Sequence, residues 1–349
     1  MKALVIDHFG GPEVLVLEDV PTPVAEAGQV RVRVSAVVVA RTKDVATRAG
    51  RPPFASQVPG FPHILGTEHA GVVDQVGPGV DPGLLGRRVA VSAVLSCGDC
   101  RACHAHREEA CSTFSLVGVH RQGSYAQYCT VPAANVHVLP DDIGFVEVAA
   151  MAANGPVARA QLEAGAVGPD STVLVLGAAG ALASTVASLA AFRGAKVIGV
   201  DRLAAKPGCL DALPLSGALD GDSPDLTELI REAGGDWGID CVVDNLGLPT
   251  LWDAYRDSLA DMGRVIVSGA ISHAAIPMRL LPFYLRSQSL IGVRTGNRTQ
   301  MEAFWKDVAA GFRLPGAMVR PTPWESASHV HRRVEDGTSL GQAVLVVSE

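Results

Sequence analysis

The segment Val173-Leu-Val-Leu-Gly177-Ala-Ala-Gly180-Ala-Leu-Ala183 decides how this chain of 349 residues is read. It lies within 171–192, where no charged side chain occurs across 22 positions, long enough to raise a membrane span. Yet the first residues are β-branched or Leu, the rest are Ala-rich, and Gly177, Gly180, Ser184, Thr185 and Ser188 are interspersed. That pattern reads as a strand over 172–176, a turn of small residues, and a buried helix over 181–192 ended by Gly194. A second strand follows over 196–201. A strand entering a helix through small residues suits a dinucleotide pyrophosphate, because the backbone approaches closely and the free helix N–H groups meet its charge. Against the G-x-G-x-x-G fingerprint the three key positions are Ala178, Gly180 and Ala183, so only the central glycine remains. Taken alone, the segment fits mere packing equally well. Asp201 adds context: it stands 21 residues after Gly180, near the ~20 at which an acid meets the adenosine ribose. A carboxylate there repels a 2′-phosphate and favours NAD(H) over NADP(H), whereas the adjacent Arg202 would accept one.

Outward from this segment, short apolar strands over 239–244 and 264–269 alternate with helices over 223–232 and 250–259, the first opened by Ser223-Pro224. Such alternation implies an α/β domain with a parallel sheet covered on both faces. Before Pro140 the rhythm differs. Val/Leu/Ile runs at 2–7, 14–20, 30–39, 70–76 and 88–94, separated by Gly and Pro, suggest a twisted barrel or sandwich. Two domains also suit the length. With 48% hydrophobic and 19% charged residues the chain is no disordered polymer. A net charge of −7 and 5% aromatics disfavour nucleic acid and anionic membranes as partners and leave a small-molecule substrate. A charge in Met1–His8 precedes any run of signal-peptide length, so a cytoplasmic protein is expected.

Seven cysteines are present, and Cys97, Cys100, Cys103 and Cys111 fall within fifteen residues. Two-residue gaps between thiols favour chelation over disulfides, and four thiolates suit one tetrahedral Zn²⁺ with no open coordination position. An iron–sulfur cluster fits less well, given the longer last gap and no proline after Cys111. The expected ion is structural, in a lobe over 95–113. Cys129, Cys209 and Cys241 read as buried.

These features together resemble the medium-chain dehydrogenase/reductase superfamily, which includes zinc alcohol dehydrogenases and quinone or enoyl reductases. The resemblance rests also on Gly-Gly-Pro-Glu-Val-Leu near residue 11, Val45-Ala-Thr-Arg48-Ala-Gly50, Pro62-His-Ile-Leu-Gly66-Thr-Glu68-His-Ala-Gly71, Gly77-Pro-Gly-Val80, Gly123-Ser-Tyr125-Ala-Gln-Tyr and Asp244-Asn-Leu-Gly247. It implies a GroES-like β-barrel catalytic domain over 1–145 and a Rossmann doubly wound parallel sheet over 146–294, the chain returning to the first domain over 295–349. It extends the cofactor contacts to Gly177, Ala178, Gly180, Ala181, Leu182, Asp201, Arg202, Lys206, Asn245 and Gly269, and implies a homodimer through an edge strand over 289–294.

The departures from the family carry as much meaning. Where zinc alcohol dehydrogenases place catalytic-zinc ligands, this chain has Arg41, Thr67 and approximately Ala153. The pattern is then similar to zinc-free quinone and enoyl reductases, although their frequent Asn is replaced by Arg41 and the Tyr of one branch by Ala46. Lys43 matches the proton-relay Ser/Thr of the alcohol dehydrogenases. The expected function is NAD(P)H-dependent hydride transfer to an activated C=C or a quinone without a catalytic metal. Arg41, Lys43 and Thr67 would face the negative charge that develops on the substrate oxygen, with Lys43 also available as the acid. Surface charges on a loop are the plainer account of both cations. Glu68 is expected to be structural and Asp44 to cap a short helix. A zinc-independent dehydrogenase or another biosynthetic enzyme, and a non-catalytic cofactor-binding protein, stand as alternatives.

Overall fold

A computed structural model describes residues 1–271 and 274–348, with the side chain of residue 153 outside the description. The chain divides into two units, one of Met1–Ala153 with the tail from Val319 on, the other of Asn154–Met318. The sequence placed these divisions at 145 and 294. Among the described residues no helix is long and apolar enough to cross a membrane.

In the first unit the strand Gln29–Val38 is the centre of a mostly antiparallel sheet, ordered Val136–Val138, Arg88–Val91, His69–Val76, Gln29–Val38, Gln342–Val346, Val319–Pro323, with Tyr128–Pro132 also paired to Gln29–Val38. Its sequence alternates Val with Arg, so Val30, Val32 and Val34 point into the core while Arg31 and Arg33 point away. Arg31 does not float free: it pairs with Asp74 at 2.8 Å and lies 5.1 Å from the Tyr128 ring centroid. Val344 pairs with Val38 and Val346 with Ala36, so the C-terminal segment completes the sheet begun near the N-terminus. The core joins Val32, Val73, Val89, Val131, Trp324 and Leu345. A smaller sheet, Val16–Asp19, Lys2–Ile6 and His63–Ile64, lies beside the strand segment that leads to Thr67.

The second unit holds six parallel strands ordered Gly217–Asp220, Lys196–Asp201, Thr172–Leu176, Ile239–Val243, Leu259–Val267, Ser289–Gly292. Numbered along this sheet, the order is 3-2-1-4-5-6, the doubly wound arrangement with its reversal between the first and fourth strands. Thr172–Leu176 and the helix Ala181–Phe192 fall where the sequence put them, and Gly194 follows the helix with φ +90°. Ser223-Pro224 does not open a helix. Ser223 Oγ accepts from Asp225 N at 3.2 Å in a turn, and the helix runs Leu226–Gly234. The strand expected over 264–269 is longer and starts earlier, Leu259–Val267; the edge strand is shorter, Ser289–Gly292.

Candidate active site

The nucleotide loop is built on backbone. Gly177 leaves its strand at φ +66°, a conformation that favours glycine, and its carbonyl accepts from Gly180 N at 2.8 Å. Gly180 is extended and opens the helix Ala181–Phe192 with no side-chain cap. A Cβ on Gly180 would meet only the Gly177 carbonyl, at 3.1 Å, so the space above the helix start is open. A glycine at the N-cap, open space above it and the positive end of the helix fit a pyrophosphate. Asp201, 7% exposed, tightens this loop: its Oδ2 accepts from Ala179 N at 2.9 Å and its Oδ1 from Arg202 N at 2.9 Å. Lys206 Nζ stands 3.4 Å from the same carboxylate. Asp201, Arg202, Lys206 and the loop are thus gathered at one end of adjacent strands. Asn245 and Gly269 follow the strands on the other side of the reversal, and Asp244 fixes the first of these loops by accepting from Leu246 N and Gly247 N.

The cysteine quartet is assembled in the first unit. The four Sγ atoms all lie within 4.8 Å of one another, and no disulfide joins them. Measured edges are 3.6 Å for Cys100–Cys103, 3.6 Å for Cys97–Cys111 and 3.9 Å for Cys97–Cys103. A tetrahedron with metal–sulfur bonds of about 2.3 Å has edges of roughly 3.8 Å, so the donor set fits such an ion. Backbone N–H groups near Cys103 and Ser112 pull the Cys100 thiol down to about 5, whereas burial and the neighbouring Cys100 push the Cys103 thiol up to about 11.

Sequence reasoning grouped Arg41, Lys43 and Thr67, and the structure separates the first from the others. Arg41–Val45 forms a π-helical turn, with Val45 N on the Ala40 carbonyl at 3.1 Å. From this turn Arg41 reaches the end of the helix Ala327–Glu335, donating to the carbonyls of Val334 at 2.9 Å and Glu335 at 3.2 Å. That is where a cation complements the helix dipole. Lys43 instead pairs with Glu68 Oε1, and Thr67 Oγ1 donates to Glu68 Oε2 at 2.5 Å. Glu68, read from sequence as structural, is the hub that joins both polar candidates. Its side chain is 6% exposed, against 21% for Lys43, so Lys43 is the more accessible partner of the pair.

Asp44 holds this arrangement from behind. It is fully buried, and rather than capping a helix it accepts from Ala40 N at 2.7 Å and Gly66 N at 3.1 Å, tying the turn to the Gly66-Thr67-Glu68 segment. Burial pushes its carboxyl up to about 7, against the pull of these N–H groups. Gly66 sits at φ +98° with a Cβ position only 2.6 Å from Tyr125 N, so no larger residue fits. His63 and His69 are fully buried: His63 Nε2 meets the Gly118 carbonyl at 3.1 Å, and burial brings His69 down to about 4. Arg48 is fully buried on Glu335 at 2.6 Å, beside a buried contact of Tyr125 Oη with His331 Nε2 at 2.9 Å. Among the described residues, the cysteine quartet is the one group of three or more His, Cys, Asp or Glu side chains gathered as a metal site.

Comparison with known proteins agrees with this construction. Residues 26–141 match the alcohol dehydrogenase GroES-like domain, and residues 181–310 match the zinc-binding dehydrogenase family. A solved NAD-dependent alcohol dehydrogenase superposes with a TM-score of 0.90 at 30% identity, covering 100% of both chains. The chain belongs to the medium-chain dehydrogenase/reductase superfamily. Within the superfamily, an NAD-dependent alcohol dehydrogenase of Sulfolobus acidocaldarius is 26% identical over 100% of both chains. An alcohol dehydrogenase of Geobacillus stearothermophilus is 28% identical, again over 100% of both. The GroES-like unit with a parallel Rossmann sheet is the superfamily's fold, and the chain is an oxidoreductase by membership.

Proposed function

We propose that this oxidoreductase uses NAD(H) to reduce an activated C=C bond, in an enone or enoyl thioester, or a quinone, with the Lys43 ammonium where related dehydrogenases rely on a metal ion. The observation that carries this reading is the Lys43–Glu68–Thr67 hub. NAD(H), when bound, supplies the hydride. Gly177, Ala178, Gly180, Ala181 and Leu182 would receive its pyrophosphate, Asp201, Arg202 and Lys206 its adenosine end, and Asn245 and Gly269 its other half. The Asp201 carboxylate supports NAD(H) over NADP(H), since a 2′-phosphate would meet a second negative charge. As hydride reaches the β-carbon, negative charge grows on the substrate oxygen. Lys43 stabilises that charge and donates the proton that completes the saturated product. Thr67 holds the second oxygen of Glu68, so the carboxylate keeps the ammonium in place. Arg41, engaged on helix carbonyls, contributes its field from further off.

The quartet supports a structural Zn²⁺, closed to substrate because all four positions are taken by protein. For self-association, Ser289–Gly292 ends the sheet with one side unpaired among the described residues, and Leu280, Leu281, Tyr284 and Leu285 stand exposed on the preceding short helix. These support a homodimer, which light scattering would register as twice the chain mass; a monomer at micromolar concentration would refute it. A second reading, alcohol oxidation, draws support from the names of the relatives. NADH consumption with a panel of enones and quinones, set against NAD⁺ reduction with alcohols, separates the two. Enone- or quinone-dependent oxidation lost in Lys43→Met supports the proposal; alcohol-dependent reduction alone overturns it.

A further inference from the structure

Gln161 has no part in the motifs above, yet it is fully buried in the helix Phe145–Ala164 and faces two loops at once. Its Nε2 donates to Asn245 Oδ1 at 2.8 Å and to Ser268 Oγ at 2.8 Å. Ser268 N also donates to Asn245 Oδ1, at 2.8 Å. Asn245 follows the strand Ile239–Val243 and Ser268 follows Leu259–Val267, two neighbours running parallel. Both loops therefore leave the carboxyl edge of the sheet, the edge at which a doubly wound sheet binds its dinucleotide. They stand on the side of the reversal away from Asp201, the side left for the second nucleoside.

The donor pattern fixes the orientation of Asn245. A backbone N–H can only donate, so the atom facing Ser268 N must be the amide oxygen. That oxygen then takes two donors, and the Asn245 amide nitrogen returns a longer bond to Gln161 Oε1 at 3.5 Å, so the two amides pair reciprocally and one N–H of Asn245 is left over. We propose that Gln161 is a positioning residue: by pairing with both ends of the Asn245 amide it fixes the direction of the remaining Asn245 N–H, which serves an acceptor oxygen of the cofactor half beyond the pyrophosphate. A buried primary amide left unpaired is costly, so the tie holds in one sense only. This rests on the NAD(H) reading above.

The test compares NADH with ADP-ribose, which lacks the nicotinamide, on the full chain. Losing one oriented hydrogen bond of ordinary strength should raise the NADH Kd and KM about tenfold in Gln161→Leu. The ADP-ribose Kd should stay within about twofold on the same scale of bond loss. Asn245→Ala should match it, and the double variant should be no worse than either single one. Gln161→Met, of similar volume, removes the donor without opening a large cavity or burying a charge and should show the same selective loss; this variant decides if Gln161→Leu misfolds. Unchanged NADH binding, or equal loss for both ligands, would overturn the role of Gln161. A wild-type chain that binds neither ligand would overturn the cofactor reading itself, and the proposal with it.

Discussion

Two places in the first unit handle positive charge in opposite ways. The cysteine lobe gathers four thiols, their sulfurs all within 4.8 Å of one another, to receive a divalent ion from solution. The Lys43–Glu68 pair carries its cation on the chain itself, an ammonium on a carboxylate that is 6% exposed. An ion held by ligands can be removed and exchanged; a lysine cannot. The lobe should therefore govern stability and respond to chelators, while the pair should govern turnover and ignore them.

The largest effect should come from Lys43→Met. General acid catalysis and charge stabilisation by one group are worth about 10²–10⁴-fold, so single-turnover hydride transfer should slow by that order with NADH binding unchanged. An unaltered rate would take Lys43 out of the chemistry and dissolve the contrast. Next is the lobe. Cys103→Ser, or prolonged chelation, should remove the ion and lower the melting temperature, by roughly 2–4 °C for each kcal/mol of folding energy lost. Residual turnover per folded chain should persist, as read by assay alongside circular dichroism.

A smaller, pH-dependent effect separates the buried groups behind the hub. His69 and His331 are held down to about 4 and about 3 by burial, while Asp44 is pushed up to about 7. Between pH 4 and 6.5 the unfolded chain binds two protons on these histidines that the folded chain does not, and the folded chain binds one on Asp44 that the unfolded chain does not. On these three groups the net is one proton, about 1.4 kcal/mol per pH unit, and His63, which burial also lowers, adds in the same direction, so stability falls on acidification through this window. Asp44 faces Lys43 and Glu68, and its own contribution runs the other way, lost as pH rises toward 7. Asp44→Asn should steepen the acid slope by about 1.4 kcal/mol per pH unit; denaturant melts across that window would show it, and an unchanged slope would remove Asp44 from the balance. The smallest effect is expected for Arg41→Ala, with turnover within about twofold because its guanidinium serves helix carbonyls.

What the sequence made legible follows from distance along the chain. The strand–turn–helix of 172–192 and the cysteine lobe are set by neighbouring residues, so periodicity and spacing exposed them. Ser223-Pro224 carried a local helix-start signal, but the Ser hydroxyl closes a turn on Asp225 instead. Arg41 finds partners 293 and 294 positions away, which no local pattern announces. Glu68 was visible as a charge beside Thr67, yet its role as hub depends on the π-helical turn that aims Lys43 at it. Gln161 left one faint trace, an amide in the second half of an Ala-rich helix.

Metal content measured on the same samples as NADH-dependent enone or quinone reduction tests the central contrast most directly. One zinc per chain is expected, with hydride transfer per folded chain unaffected when adventitious ions are stripped and when the zinc is exchanged for cadmium. Two tightly held ions per chain, with turnover vanishing as the more labile one leaves, would contradict the account.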